Sequence, residues 1–328
     1  MTTMRRPALL AGLITLVVLL SFASLCAGKA WVPFDIWFNP GSDPRWAIIF
    51  QLRIPRTILG IAVGMALGAA GAALQGYTRN PLADPAVFGV SSMASFGAVM
   101  TLYLGLGAAA PWVLPLGGML GAGIGVAILL GLSGATSSVL TFILAGVILN
   151  SVASAGVALA LNLAPTPWAV NEIINWLMGS LADRSAGEVQ LALPFIVGGC
   201  LLLFTTTKAL DALTLGETGA RSLGISLGRL RLILAIGTGL AVGASVAVTG
   251  MIGFVGLMAP HLLRPLVGAK PGALLIPSAI AGAAIVLAGD IAARLIPTPV
   301  ELKLGVAMAA LGGPFFFAML LNMRRKMA

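Results

Sequence analysis

Residues 57–77 read TILGIAVGMALGAAGAALQGY, an uncharged stretch with Arg53 and Arg56 just before it and Arg79 just after. About 20 apolar residues in a helix cross the hydrocarbon core of a bilayer. Gly60, Gly64, Gly68 and Gly71 recur at a spacing that places them on one helical face. Lipid tails give helices no hydrophobic reason to associate, so membrane helices rely on close backbone approach through small residues. The stretch therefore reads as a membrane span with a glycine packing face, bounded by charges at both water interfaces.

The rest of the chain repeats this pattern. Hydrophobic residues make up 59% of the 328 and charged residues only 9%, against about 25% charged in soluble domains. Ten segments qualify as spans: 8–28, 57–77, 86–107, 111–132, 138–161, 191–209, 231–249, 252–266, 274–296 and 304–322. The eighth is short and is expected to be broken by Pro260. The first begins after Arg5 and Arg6, like a signal peptide, but its apolar run exceeds the usual 7–15 residues, so it is expected to remain as a span. No soluble domain, linker or low-complexity tract interrupts the series. The expected fold is all-α: one polytopic transmembrane helical bundle over 1–328, with about ten spanning helices. Outer loops are expected over about 29–56 and 162–190, the second with a short helix over Asn171–Leu181. A long inner loop is expected over about 208–231.

The charges supply an orientation, because Lys and Arg concentrate in cytoplasmic loops. With both termini cytoplasmic, Arg5, Arg6, Arg79, Lys208, Arg221, Arg229, Arg231, Arg264, Lys270, Arg324, Arg325 and Lys326 fall inside. Lys29, Arg45, Arg53, Arg56, Arg184, Arg294 and Lys303 fall outside. Only three acids, Asp84, Asp211 and Glu217, accompany the inner set, and seven accompany the outer set. The formal charge of +9 thus belongs to the inner face and is a topology signal, not a nucleic-acid footprint. All six tryptophans, Trp31, Trp37, Trp46, Trp112, Trp168 and Trp176, fall outside, as an interfacial belt or in part as the lining of an outer vestibule.

Several chemistries find no support. Cys26 and Cys200 lie in apolar runs and His261 is the only histidine, so no metal site or disulfide framework is indicated. No G-x-x-x-x-G-K-[ST] occurs, so ATP hydrolysis would need a partner. No cofactor and no catalytic constellation is expected. Asp290, the candidate intramembrane carboxylate, stands four residues before Arg294 and reads as half of a structural pair. An ion-coupled secondary carrier needs an intramembrane charge or ion site, and none is evident.

Three polar clusters break the apolar background. Arg53-Ile-Pro-Arg56 opens the second span. Pro55 suits a helix start, and the two arginines are expected to project into outer water or headgroups, as interface anchors or as a docking point for acidic groups of an external partner. Gln75 with Asn80-Pro-Leu-Ala-Asp-Pro85 reads as an inner turn, since Asn-Pro and Asp-Pro start turns. Leu215-Gly216-Glu217-Thr218-Gly219-Ala220-Arg221-Ser222-Leu223-Gly224 reads as a short exposed helix, supported by the Glu217–Arg221 spacing and stopped at Gly224. A cytoplasmic partner could grip such a helix.

Together these motifs resemble the FecCD-type permeases of ABC importers for ferric siderophores, haem and cobalamin. The resemblance runs from about Gln51 to the C-terminus. It also rests on Gly253-Phe-Val-Gly-Leu257, Pro260-His261 with Arg264, Asp290 with Arg294, and Gly312-Gly-Pro-Phe315. It implies a type II ABC importer permease fold in a bacterial inner membrane. It also implies a permease homodimer around a central pathway, two cytoplasmic ATPase subunits and an external, periplasmic substrate-binding protein. Arg53, Arg56 and Arg294 match positions where relatives receive glutamates of the binding protein. Leu215, Gly216, Glu217, Ala220, Arg221, Leu223 and Gly224 match the element that couples to the ATPase. Ser137 and Ser138 fall where relatives close an inner gate. Lys303 stands where relatives commonly carry proline. The expected substrate is an iron chelate, ferric siderophore or haem, with cobalamin as the alternative.

Overall fold

The computed structural model describes residues 6–38, 43–134, 138–268, 270–298 and 300–327, without the side chains of 320 and 322–327. Arg5 and Ser137, which figure in the sequence reading, lie outside the described residues, as do the side chains of Arg324, Arg325 and Lys326. Among the described residues every regular element is helical. In chain order these are α1 Arg6–Cys26, α2 Phe34–Trp37, α3 Ile54–Thr78, α4 Val90–Tyr103, α5 Val113–Ser133, α6 Val139–Asn162, α7 Pro167–Leu177 and α8 Ala186–Thr205. They continue as α9 Thr207–Leu213, α10 Gly216–Ser222, α11 Leu227–Thr238, α12 Ala244–Thr249, α13 Val255–Val267, α14 Pro271–Leu295 and α15 Leu304–Met327.

Each of the ten expected spans has a helical counterpart. Seven described stretches are long and apolar enough to cross a membrane: α1, Ile48–Thr78, α5, α6, α8, Leu227–Thr249 and α14. The stretches matching the third, eighth and tenth expectations are the shorter apolar helices Val90–Tyr103, Val255–Val267 and Leu304–Met319. The chain is a polytopic bundle of about ten helices.

Its centre is the pair α3 and α14, and the glycine face explains why. A Cβ at Gly64 would strike the backbone of Gly282 and Ala283, and one at Gly68 the carbonyl of Ser278. A Cβ at Gly71 would strike Gly256 of α13. The backbones therefore touch, which maximises dispersion contact where the hydrophobic effect contributes nothing. Helices α1, α5, α6 and α8 surround this centre and leave large apolar side chains such as Leu19, Leu120, Leu144 and Leu201 exposed, as a lipid-facing shell requires.

Several boundaries differ from the sequence reading. The second span begins at Ile48, not at residue 57, because a π-helical turn over Ile48–Arg53 runs directly into α3. Pro55 has no N–H to donate, and its ring crowds the preceding turn. The wider π register, with the Ile54 N–H bonded to the Ile49 carbonyl, lets the helix continue past it. The outer stretch 29–56 is thus only partly loop. The outer helix lies at Pro167–Leu177, four residues before its expected place, set by the Thr166 side chain, which accepts from Ala169 N, and by proline in the first turn. The third span starts with a 3-10 turn at Pro85–Phe88, and its α-helical part begins only after Gly89, at φ +73°. Pro260 does not break α13, which continues to Val267. The inner loop is mostly helical, formed by α9, α10 and the start of α11.

Candidate functional site

Two polar regions stand at opposite ends of the bundle. The first gathers around Asp290, whose carboxylate is only 1% exposed between two guanidinium groups. Arg56 grips it side-on, Nε at 3.1 Å and Nη2 at 2.7 Å. Arg294, one turn later on α14, approaches to 2.8 Å. Arg56 also donates to Glu301, in the link between α14 and α15. Arg294 then turns to α1, donating to the Ser24 carbonyl (2.9 Å), the Ala27 carbonyl (3.1 Å) and Ser24 Oγ (2.7 Å). The Ser24 hydroxyl lies 2.8 Å from that of Thr57 on α3.

Arg53 completes the cluster without an acid. It is buried, and its guanidinium donates to the carbonyls of Leu25 (2.8 Å), Cys26 (3.1 Å) and Ala30 (2.5 Å). The first two are the last residues of α1, whose final carbonyls have no intrahelical donor. A cation there also complements the negative end of the helix dipole. Arg53 and Arg294 thus clamp the end of α1 onto α3 and α14.

The expectation that Arg53 and Arg56 project into outer water or headgroups is corrected. Both turn inward, because α1 offers free carbonyls and α14 a buried carboxylate. Arg56 remains partly open, at 11% side-chain exposure, and Glu301 more so, at 34%. Both line a cavity of about 520 Å³ with Lys29, Arg53, Arg294, Lys303 and Asp183. All seven charged residues belong to the outer set of the sequence reading, so the alternation of spans sorted them together correctly. Five bases against two acids leave this basin positive.

At the other end, the Gln75–Pro85 segment forms the expected turns. Arg79 ends α3 in the left-handed region at φ 52°, Asn80 Oδ1 accepts from Leu82 N, and Asp84 Oδ1 accepts from Ala86 N. The polar loop helix is present as α10, between Gly216 (φ +87°) and Gly224 (φ +79°). Ala220 is fully buried and anchors it, whereas Leu215 and Leu223 are 67% and 62% exposed. Glu217 and Arg221 approach to only 3.9 Å. Glu217 has a better partner: its Oε1 accepts from Val139 N at 3.2 Å, at the start of α6. Ser138 caps the same terminus, its Oγ accepting from Thr141 N at 3.2 Å. The structure therefore brings Ser138 and α10 together, a link between the inner loop and α6 that no local spacing announced. Glu301, Ser24 and Thr57 were also missed, since each joins its site from a distant part of the chain.

The FecCD transport family model matches residues 16–322. The ABC transporter permease protein YvrB of Bacillus subtilis (strain 168) is 40% identical over 290 residues, covering 86% of this chain and 81% of that protein. The vitamin B12 import system permease protein BtuC of Salmonella typhi is 38% identical over 320 residues, covering 96% and 95%. Among solved structures, an inward-facing metal-chelate type ABC transporter aligns with a TM-score of 0.85 at 30% identity, covering 97% of this chain and 99% of that one.

Proposed function

This chain belongs to the FecCD transport family, and from that premise we propose that it is the membrane-spanning subunit of an ATP-driven importer for a large metal-centred chelate. The observation that carries this reading is the family match across nearly the whole chain, together with two separate polar regions at opposite ends of the bundle.

In this reading the basic set around α10 faces the cytoplasm, as do both termini, and the Asp290 cluster faces outward. Two ATPase subunits engage the inner face, where Leu215 and Leu223 stand exposed on either side of α10. Their motion passes through Glu217 to the start of α6 and Ser138, and Ser137 adjoins this joint in sequence. An external binding protein docks at Arg53, Arg56 and Arg294. The net positive basin favours an acidic docking patch, and like-for-opposite charge matching speeds such encounters. Arg56 is best placed to meet a partner's carboxylate, while Arg53 is occupied in holding α1.

A second copy of the chain completes the pathway. Helix α6 exposes Ser151, Ser154, Ala155, Ala158 and Asn162 along one face. Lipid favours bulky apolar groups there, whereas small and weakly polar groups suit a subunit interface or a wet pathway. A chelate can pass such a lining without being held.

The sequence alone put a ferric chelate first. The relatives named for vitamin B12, at 37% and 38% identity over 94% and 96% of this chain, move a corrinoid to first place. The metal-chelate transporter at 30% identity keeps the ferric chelate as the second reading. Uptake of radiolabelled cyanocobalamin and of a ferric siderophore, by cells carrying this permease with its ATPase and binding protein as their only route, separates the two. Accumulation of iron alone would reject the corrinoid.

A further inference from the structure

One cavity takes no part in the reading above. It measures about 230 Å³ and is lined by Arg79, Arg264, Gln75 and Thr214, with apolar walls that include Pro271 and Leu274. It lies where the end of α3 meets the start of α14. Arg264, on α13, donates from Nη2 to Gln75 Oε1 at 2.8 Å. Gln75 is itself buried, and its amide donates to the Gly256 carbonyl at 3.4 Å. The Arg264 Nε–H is enclosed and has no acceptor. Among the described residues, no carboxylate lies within ion-pair distance of Arg79 or Arg264. The nearby Asp211 spends its Oδ1 on the N–H of Gly272, at 2.8 Å.

A half-enclosed guanidinium whose bonded partner is a neutral amide, with an unused donor and a second arginine on the same cavity, has the chemistry to receive an anion. Leaving a buried donor of a charged group unsatisfied costs more than leaving a neutral one. Arginine presents a planar fork suited to phosphate oxygens. Depth in the membrane narrows the choice of anion. The helix from Ile48 to Thr78 has 31 residues and is about 46 Å long at 1.5 Å per residue. A bilayer is about 30 Å thick in its hydrocarbon core and about 40–45 Å with its headgroups. The last turn of α3, which carries Gln75 and Arg79, therefore stands at headgroup level. Basic pockets between membrane helices take anionic headgroups at that level. The apolar walls formed by Pro271 and Leu274 suit the start of an acyl chain.

We propose that the Arg79–Arg264 pocket binds the phosphodiester of an anionic phospholipid. The test is a titration of the detergent-purified permease, followed by native mass spectrometry, with phosphatidylglycerol, with phosphatidylcholine of the same chains, and with inorganic phosphate. The expected result is one saturable phosphatidylglycerol site per chain, at least about tenfold tighter than phosphatidylcholine. Losing one charge-assisted contact corresponds to about a tenfold loss of affinity or more. That loss is expected for Arg79→Gln, an exposed position whose replacement leaves folding intact, and for Arg264→Lys, which keeps the charge but loses the fork. Equal affinity for the two lipids, or an unchanged preference in Arg79→Gln, overturns the site. Displacement of the lipid by equimolar inorganic phosphate overturns the lipid assignment in favour of a free-phosphate site.

Discussion

Asp290 and Glu301 share one arginine and differ in burial, and that difference sets a sharp prediction. Asp290→Asn removes the only buried negative charge from a cluster of Arg53, Arg56 and Arg294. The cluster, with Glu301 counted, goes from one excess positive charge to two. Removing one partner of a buried ion pair costs about 3–5 kcal/mol, because the other charge remains desolvated and unmatched. Arg294 keeps its three contacts to α1 and Arg56 keeps Glu301, which places the expected loss at the lower end, about 3 kcal/mol. Glu301→Gln removes a carboxylate that is one-third exposed. Solvent screens that pair, and the expected loss is about 1 kcal/mol or less. The assay is reversible unfolding in mixed detergent–SDS micelles, followed by the fluorescence of the six tryptophans. A double-mutant cycle between Asp290→Asn and Arg56→Gln should give a coupling of about 2 kcal/mol. Equal losses for the two acids, or a loss below about 1 kcal/mol for Asp290→Asn, would refute the view that Asp290 is the keystone of the outer cluster.

Three further predictions follow from the packing and the two docking regions. Gly68→Ala forces a Cβ into the Ser278 carbonyl and should cost about 1–3 kcal/mol, whereas Gly123→Ala meets nothing within 4 Å and should be neutral or stabilise by up to about 1 kcal/mol. The same micelle unfolding measures both. Leu215→Ser with Leu223→Ser should leave the permease folded but reduce ATP-driven uptake at least about tenfold, by removing two exposed apolar contacts of about 1.5–3 kcal/mol each; unchanged uptake per ATP hydrolysed would reject α10 as the coupling element. Arg56→Gln should weaken binding-protein-stimulated uptake by about tenfold or more, while Arg45→Gln, which breaks only the exposed pair with Asp43, should not alter it; equal effects in a transport assay would reject the basin as the docking point.

The helices were legible because most apolar runs are long and are separated either by charges, as at 57–77, or by short Gly, Pro and Ser/Thr turns, as between 86 and 161. The glycine face of 57–77 also announced its own role, since only close backbone contact explains glycines at that spacing. Boundaries failed where local chemistry departs from the α pattern. A π turn carries the second span through Pro55, and Thr166 with Pro167 starts the outer helix earlier than its apolar spacing suggested. The arginines read as outer do gather at one end of the bundle, but in surroundings the sequence did not announce. Arg56 meets Asp290 across 234 residues and Arg294 meets Ser24 across 270, and nothing in local spacing reports such partners. The Asp290–Arg294 pair was legible because it lies within one helical turn. The Glu217 tie to Val139 escaped notice because Glu217 already had Arg221 as a local partner.

The central claim is that this chain moves its substrate only as one subunit of an ATP-driven machine. The most direct measurement is uptake into proteoliposomes that contain the permease with or without its P-loop ATPase subunit, with the binding protein and labelled substrate outside and ATP inside. The account predicts uptake only when the ATPase and ATP are both present, and none from a proton or sodium gradient. Uptake by the permease alone, driven by an ion gradient, would contradict it.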